Sequence, residues 1–396
     1  SSGTPTTGGT ASATDAQKDY LGGGLTFKVK VQKGYFYTVN ITYSGTLTTG
    51  YVNTDLAGYT VGTHSAMQTE EYSIPATRDF IDICVTDAIA QISISKQPAR
   101  QKRTKPVVHH IGDSTSANNG SWAYRLASLC NGGSYTDLTA LCTFQNNGRG
   151  GRNLSTYYTQ GLLANVLADI YPGDIVMFGN MGTNGMGNTF EADVNYYLDA
   201  AEALGAKVIL NSYTPHGAVV GTNWQDRYNS STATFNCYRT DSYDVIVRNV
   251  AAQREANDEN YLGFVEIGKN ADAIFNAYAA DYAANNYASA DAAAQAIITC
   301  FTDHNHYSNG TLACDLMLNG YTTTDTKGIV QQLIDILNPT PTPVTAPVAE
   351  SSAQTRGGVY DFLGRKVSDD QNTTSSVACK LQSGLYIING KKYFMR

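Results

Sequence analysis

The sequence predicts an α/β protein. Its core is a three-layer α/β/α domain with a parallel sheet, preceded by a small antiparallel β-sandwich and followed by a short β-rich tail. Three observations lead there. Residues 25–97 hold short runs that alternate apolar with polar side chains, the period of a half-buried strand. From Val107 short apolar strands alternate with helical runs, which implies parallel pairing and a sheet covered on both faces. After residue 338 a Pro/Thr-rich stretch sets residues 356–396 apart.

The elements follow in order. Residues 1–18 are rich in Ser, Thr and Gly and read as disordered. They carry neither the basic nor the apolar region of a signal peptide, so an exported form would already have lost its signal. Residues 19–98 read as the sandwich, with LTFKVKVQ, YFYTVNITYS, FIDICVT and AQISISKQ as strands. Residues 99–106, polar and basic, read as a linker. Residues 107–338 form the α/β/α domain. VVHHIG (107–112), DIVMFG (174–179), KVILNSY (207–213) and YLGFVEIG (261–268) read as its strands. Helical spacing covers 121–130, 162–170, 190–204 and 245–256, and recurs near 286–300, 308–317 and 326–337. His109 and His110 share a strand, so one of them faces the core; both read as structural. Residues 339–355 form a semi-extended linker. Residues 356–396 are too few to build much core alone.

Composition narrows the function. With 27 Lys+Arg against 34 Asp+Glu the net charge is −7, and no basic run extends beyond Lys102-Arg103. Nucleic acid, which needs clustered cations, is excluded as a partner. No apolar stretch approaches the ~20 residues of a membrane span. Only 15% of residues are charged, while Tyr numbers 27 and Gly 37, a surface chemistry that leans extracellular. The seven cysteines include no C-x-x-C. Cys130 with Cys142, and Cys300 with Cys314, are candidate disulfides; free buried thiols are the equal alternative.

In open α/β sheets, ligands bind outside the carboxyl ends of the strands. The segments there are Gly112-Asp113-Ser114-Thr115, the Gly-rich run 146–152, the run 179–185 and Asp303-His304-Asn305-His306. A Ser, glycines with free N–H groups, an Asn amide and an Asp/His pair are what acyl transfer requires: nucleophile, oxyanion donors and an oriented base. Each also has a plainer reading. Ser114 could cap a helix. The glycines could form a turn or a phosphate nest, though no Gly-Lys-Ser/Thr follows. His304 and His306 could bind a metal, but no third ligand stands at matching spacing.

Taken together, GDST (112–115), the Gly-rich block (148–152), Gly182-Thr183-Asn184 and Asp303-x-x-His306 resemble the four blocks of the SGNH (GDSL) hydrolases over roughly residues 107–338. The resemblance implies a flavodoxin-like fold. The pattern is most similar to the rhamnogalacturonan acetylesterases of carbohydrate esterase family twelve, through GDST, SWAYRLA, GGRN and DHNHYS. It implies that Ser114 is the nucleophile, His306 the general base and Asp303 its orienting partner. Ser114 and Gly151 N–H groups and the Asn184 amide then form the oxyanion hole, with no cofactor and no metal. The sequence departs from the family where Gly185 replaces an Asp and Asn153 a Ser. Asn180 competes with Asn184 for the third donor. YDFLGRKV and GLYIINGKKYFMR resemble the C-terminal sorting domain of type IX secretion, which implies export and contact with secretion machinery.

The expected function is removal of O-acetyl groups from plant cell-wall polysaccharide, such as pectin, rhamnogalacturonan or xylan, by a secreted or cell-surface serine esterase. Two alternatives stand beside it: an esterase for another acyl group such as feruloyl, and a carbohydrate-binding protein with an inactive hydrolase-like domain. Tyr157, Tyr158, Tyr213, Trp224 and Tyr228 supply aromatic loop positions that fit sugar or ferulate stacking.

Overall fold

The computed structural model describes residues 25–45, 50–52, 59–61, 65–85, 89–117, 119–179, 181, 190–215, 227–238, 242–302, 306–307, 310–339, 359–361, 366–368, 384–388 and 391–395. They fall into two compact units, Ser1–Pro339 and Thr340–Arg396. The expectations for residues 1–18 and 340–355 lie outside the described residues.

The first unit begins with β1 (Leu25–Lys30), β2 (Phe36–Tyr43), β3 (Gly50–Val52), β4 (Tyr59–Val61), β5 (Thr69–Pro75), β6 (Phe80–Val85) and β7 (Ile89–Lys96). They form antiparallel sheets ordered β1-β6-β3-β4 and β5-β2-β7. Alternation along β2 buries Val39, Ile41 and Tyr43, which share one core with Ile74, Ile81 and Ile83.

The second part is a five-stranded parallel sheet. Its strands are β8 (Val107–Ile111), β9 (Thr143–Asn146), β10 (Ile175–Phe178), β11 (Lys207–Asn211) and, after the hairpin of β12 (Tyr228–Asn229) and β13 (Thr234–Phe235), β14 (Tyr261–Val265). The order across the sheet is β14-β11-β10-β8-β9, and each pairing is parallel. In chain order that is 2-1-3-4-5, the flavodoxin-like arrangement.

Alternate residues feed opposite cores. Ile175, Met177 and Ile209 pack with helices Trp122–Asn131, Gly268–Ala280, Ala290–Ile298, Leu312–Asn319 and Ile329–Leu337. Val176, Phe178, Val208 and Leu210 pack with helices Leu162–Ala168, Phe190–Ala203 and Ser242–Asn257. The expected three layers are thus formed. The expectation that only one of His109 and His110 faces a core is corrected: both are fully buried, because this sheet has a core on each face. His110 meets Trp122 edge-on at 4.8 Å and Phe144 at 6.1 Å. His109 Nε2 lies 3.6 Å from Asp174.

Residues 99–106, expected as a linker, are fastened down. The Arg100 guanidinium lies 3.5 Å over the Phe36 ring and donates to the Ile170 carbonyl at 2.7 Å. Arg103 donates to Asp169 O at 2.9 Å and pairs with the buried Asp174 at 3.2 Å. Phe36 itself joins the core of the α/β part, so the sandwich and the parallel sheet are packed together.

Of the two alternatives for Cys130 with Cys142 and Cys300 with Cys314, cross-links or free buried thiols, the structure has the free thiols. Cys130, Cys142, Cys237, Cys300 and Cys314 are free thiols. Cys142 and Cys300 each turn back to the carbonyl four residues earlier, Leu138 at 3.7 Å and Ala296 at 3.4 Å, and Cys314 donates to Gly120 O at 2.7 Å. Burial pushes the Cys142 thiol up to about 12. Among the described residues no helix is long and apolar enough to cross a membrane. The second unit contains β15 (Val359–Asp361), β16 (Lys366–Ser368), β17 (Gly384–Ile388) and β18 (Lys391–Met395), an antiparallel sheet ordered β16-β15-β17-β18.

At the amino end of the parallel sheet, Arg254 receives Asp199 at 2.6 Å and Glu202 and Asp258 each at 2.9 Å. Three carboxylates exceed one guanidinium. Burial, and then the hydrogen bond with Asp258, push Glu202 up from 4.5 to about 7. Glu202 therefore binds its proton more tightly in the folded chain than in the unfolded one. Its contribution to stability is largest below about pH 4.5 and declines as pH rises to about 7. The urea midpoint of Glu202→Gln, relative to the native sequence, should rise between pH 5 and pH 8. A constant difference would refute the raised pKa of Glu202.

Candidate active site

Between β8 and β10 the chain's connections leave in opposite directions, β8 toward β9 and β10 toward β11. In open α/β sheets such a reversal is where ligands bind, at the carboxyl ends of the two strands. Ser114 stands there, three residues beyond β8, at the start of the helical turn Ser114–Ala117. The capping role falls to Asp113. Its carboxylate accepts from Thr115 N at 2.9 Å and Thr115 Oγ1 at 2.8 Å, and its carbonyl accepts from Ala117 N at 3.0 Å. Ser114 is thereby released from capping. It is 8% exposed, and neither its hydroxyl nor its N–H has a hydrogen-bond partner among the described residues.

The second segment is tied to the first. Asn147 N donates to His110 O at 2.8 Å, and Arg149 N to Gly112 O at 2.9 Å. Asn146 joins both sides: its Oδ1 lies 3.2 Å from His110 Nδ1 and accepts from Gly148 N at 3.0 Å, while its Nδ2 donates to Ser116 O at 2.7 Å. Burial holds His110 down at about 4, so it stays neutral in this framework. The N–H groups of 147, 148 and 149 are thus engaged. That of Gly151 has no partner among the described residues. Gly151 has φ 66°, and a Cβ there would meet nothing within 4 Å. Its backbone conformation, not crowding, calls for glycine.

The third segment begins at Gly179, whose N–H donates to Ile111 O at 3.2 Å. Here the constraint is crowding. A Cβ on Gly179 would lie 2.1 Å from the amide nitrogen of Asn211, a fully buried residue. Asn184 and Asn180, the rival third donors, lie outside the described residues, as do Asp303 and His304.

His306 is described and partly buried. Its carbonyl accepts from Thr302 N at 2.8 Å, and Phe301 and Tyr307 bridge the ends of this short loop. Tyr307 donates to Pro215 O, four residues beyond β11, which places the His306 segment at the same carboxyl edge. The structure thus ties the segment that leads to Gly151 to the one that leads to Ser114, and sets the His306 segment on the same edge. Among the described residues no group of three His, Cys, Asp or Glu side chains could hold a metal ion.

The expected aromatic platform is corrected. Tyr157, Tyr213 and Tyr228 are 1%, 7% and 7% exposed. Tyr157 donates to Asn147 O, Tyr213 lies in the core on one sheet face, and Tyr228 packs against Phe235 and donates to Asp291 at 2.6 Å. Their hydroxyls gave them a polar look in the sequence, but core contacts take the rings. Trp224 and the side chain of Tyr158 lie outside the described residues. Asn146 and Asn211, which organise the strand ends, went unrecognised. The signal was their place as the last residue of each strand.

No known family profile matches the chain, and no curated protein sequence matches it. Several solved structures resemble it. Protein YXIM from Bacillus subtilis is 19% identical, with 74% of this chain and 77% of that one covered and a TM-score of 0.39. A family two carbohydrate esterase from Clostridium thermocellum, in complex with cellohexaose, is 14% identical over 62% of this chain and 82% of its own, at a TM-score of 0.25. A family two carbohydrate esterase from Cellvibrio japonicus is 10% identical over 79% and 89%, at 0.29. The fold assignment rests on the chain's own strand order, not on these scores.

Gly179→Ala should lower stability by about 1–3 kcal/mol, because either the loop or Asn211 must move. Adding Asn211→Ala should return part of that loss in urea unfolding. Equal or additive losses would show that the contact is not the cause.

Proposed function

We propose that the chain is a serine esterase of SGNH type that removes acetyl groups from polysaccharide outside the cell. The observation that supports this reading is Ser114: a hydroxyl at the sheet's reversal point, freed from capping by Asp113, in a segment hydrogen-bonded through Gly112 O to the loop that carries Gly151. In the proposed mechanism Ser114 Oγ attacks the ester carbonyl as His306 takes its proton. Asp303 orients His306 and stabilises the imidazolium. Negative charge develops on the carbonyl oxygen, where Ser114 N–H, Gly151 N–H and the Asn184 amide receive it. His306 then passes its proton to the leaving sugar hydroxyl. Water repeats the sequence on the acyl-enzyme and releases acetate. A preorganised donor of this kind contributes about 3 kcal/mol to transition-state stabilisation.

The acyl group is small in this reading. The burial of Tyr157, Tyr213 and Tyr228 withdraws these three rings from stacking on an acyl group. Acetate release from acetylated pectin, acetylated xylan and an aryl acetate, measured side by side, tests the substrate class. Ser114→Ala should reduce release by about 10³-fold or more with an unchanged unfolding midpoint. Activity within tenfold of the native sequence would remove Ser114 as nucleophile.

Asn184→Ala should lower kcat by about 100-fold with little change in KM, since the amide meets charge only in the transition state. Asn180→Ala should change neither. The reverse result would transfer the third donor to Asn180 and leave the nucleophile in place.

Residues 356–396 serve as a sorting signal in this reading. Fused behind a reporter in a host with type IX secretion, residues 340–396 should carry the reporter to the cell surface. Retention inside would remove export by this route.

A further inference from the structure

We propose that Tyr307 is the positioning residue for His306, acting through the carbonyl of Pro215. The loop after β11 thereby sets where the base stands. This rests on the reading of His306 as general base.

Tyr307 follows His306 and pairs across an antiparallel bridge with Phe301, so its backbone is extended. Successive side chains on extended backbone point to opposite sides. Tyr307 is accordingly 0% exposed while His306 is only partly buried. Its ring lies 4.2 Å from Phe301 between centroids, and its hydroxyl donates to Pro215 O at 2.7 Å. On the other flank, Thr302 N and Thr302 Oγ1 donate to His306 O at 2.8 and 3.3 Å. His306 is therefore held from its own carbonyl and from the phenol next to it.

Pro215 O is not a loose acceptor. The run that leads to Pro215 is secured at Ser212 and Tyr213. Ser212 N donates to Val265 O at 3.0 Å, and Tyr213 N to Asp244 Oδ1 at 3.0 Å. The fully buried Ser212 hydroxyl accepts from Ile267 N at 2.6 Å and Gly268 N at 3.1 Å, and donates to Glu266 Oε1 at 2.8 Å. Arg248 donates to the other Glu266 oxygen at 2.6 Å. The reference point for His306 is thus fixed to β11 and β14, the sheet that also fixes Ser114. A loop reaching the edge from the far end of the chain gains its register to the nucleophile this way. Active-site geometry has to be held to a fraction of an ångström, which such second contacts supply.

Tyr307→Phe keeps the ring and its packing and removes only the oxygen. In the full chain it should lower kcat for an aryl acetate at least tenfold, with KM within twofold. Labelling of Ser114 by a fluorophosphonate probe should slow by a similar factor, because the probe needs the same deprotonation. In a His306→Ala background, Tyr307→Phe should change the residual rate less than twofold, since a residue acting through His306 has nothing left to act on. A loss that persists there marks a general structural role and overturns the proposal. Unchanged kcat and labelling in Tyr307→Phe also overturn it while leaving the esterase reading intact. A native protein that neither hydrolyses ester nor takes the probe refutes both. Ser212→Ala, which loosens the Pro215 run without touching Tyr307, gives the same readouts should Tyr307→Phe fold poorly.

Discussion

Everything at the candidate site depends on one topological constraint: the two central strands β8 and β10 are parallel neighbours whose chains depart in opposite directions. Two loops that diverge cannot fill the space between their origins. The backbone that turns away from the strand ends there needs hydrogen-bond partners. The chain meets this need with side-chain amides. Asn146 ends β9 and Asn211 ends β11, and each turns its amide inward under a glycine-containing loop. Asp113 does the same for the turn that carries Ser114. Among the described residues, the Ser114 hydroxyl and the N–H groups of Ser114 and Gly151 are left without partners on this edge, as are the buried amide nitrogen of Asn147 and amide oxygen of Asn211.

Much of this was legible in the sequence. The short apolar strands 107–111, 175–178 and 207–211 announced a sheet buried on both faces, and the helices between them carried their periodicity openly. Less legible were β9 and the helix Gly268–Ala280. β9 has four residues and buries only Phe144 deeply, so it shows no alternation worth reading. The helix begins at a glycine behind Ile267, with no capping side chain to mark its start. Its apolar spacing at Ala271, Ile274, Phe275, Tyr278 and Ala279 was nonetheless present. Within the sandwich, β3 and β4 are three residues each, and the Glu70-Glu71 pair disguised β5.

For the site, spacing along the chain identified which segments arrive at the sheet edge. It could not say which side chains are consumed by the framework. Asp113 and Ser114 are both capping residues by type, and only the fold decides that Asp113 caps. Tyr157, Tyr213 and Tyr228 look identical to surface tyrosines until the core contacts are known. Cysteines at short spacing suggested cross-links, yet Cys142 and Cys300 sit on or beside helices, where the carbonyl one turn back takes the thiol hydrogen.

Those thiols carry a consequence for how the first unit comes to be folded. A cross-linked domain gains stability by restricting its unfolded chain and must be oxidised to do so. The five described cysteines contribute instead as small apolar side chains within the packed layers. Among these five, folding requires no electron acceptor, and a more reducing environment finds no cross-link between them to break.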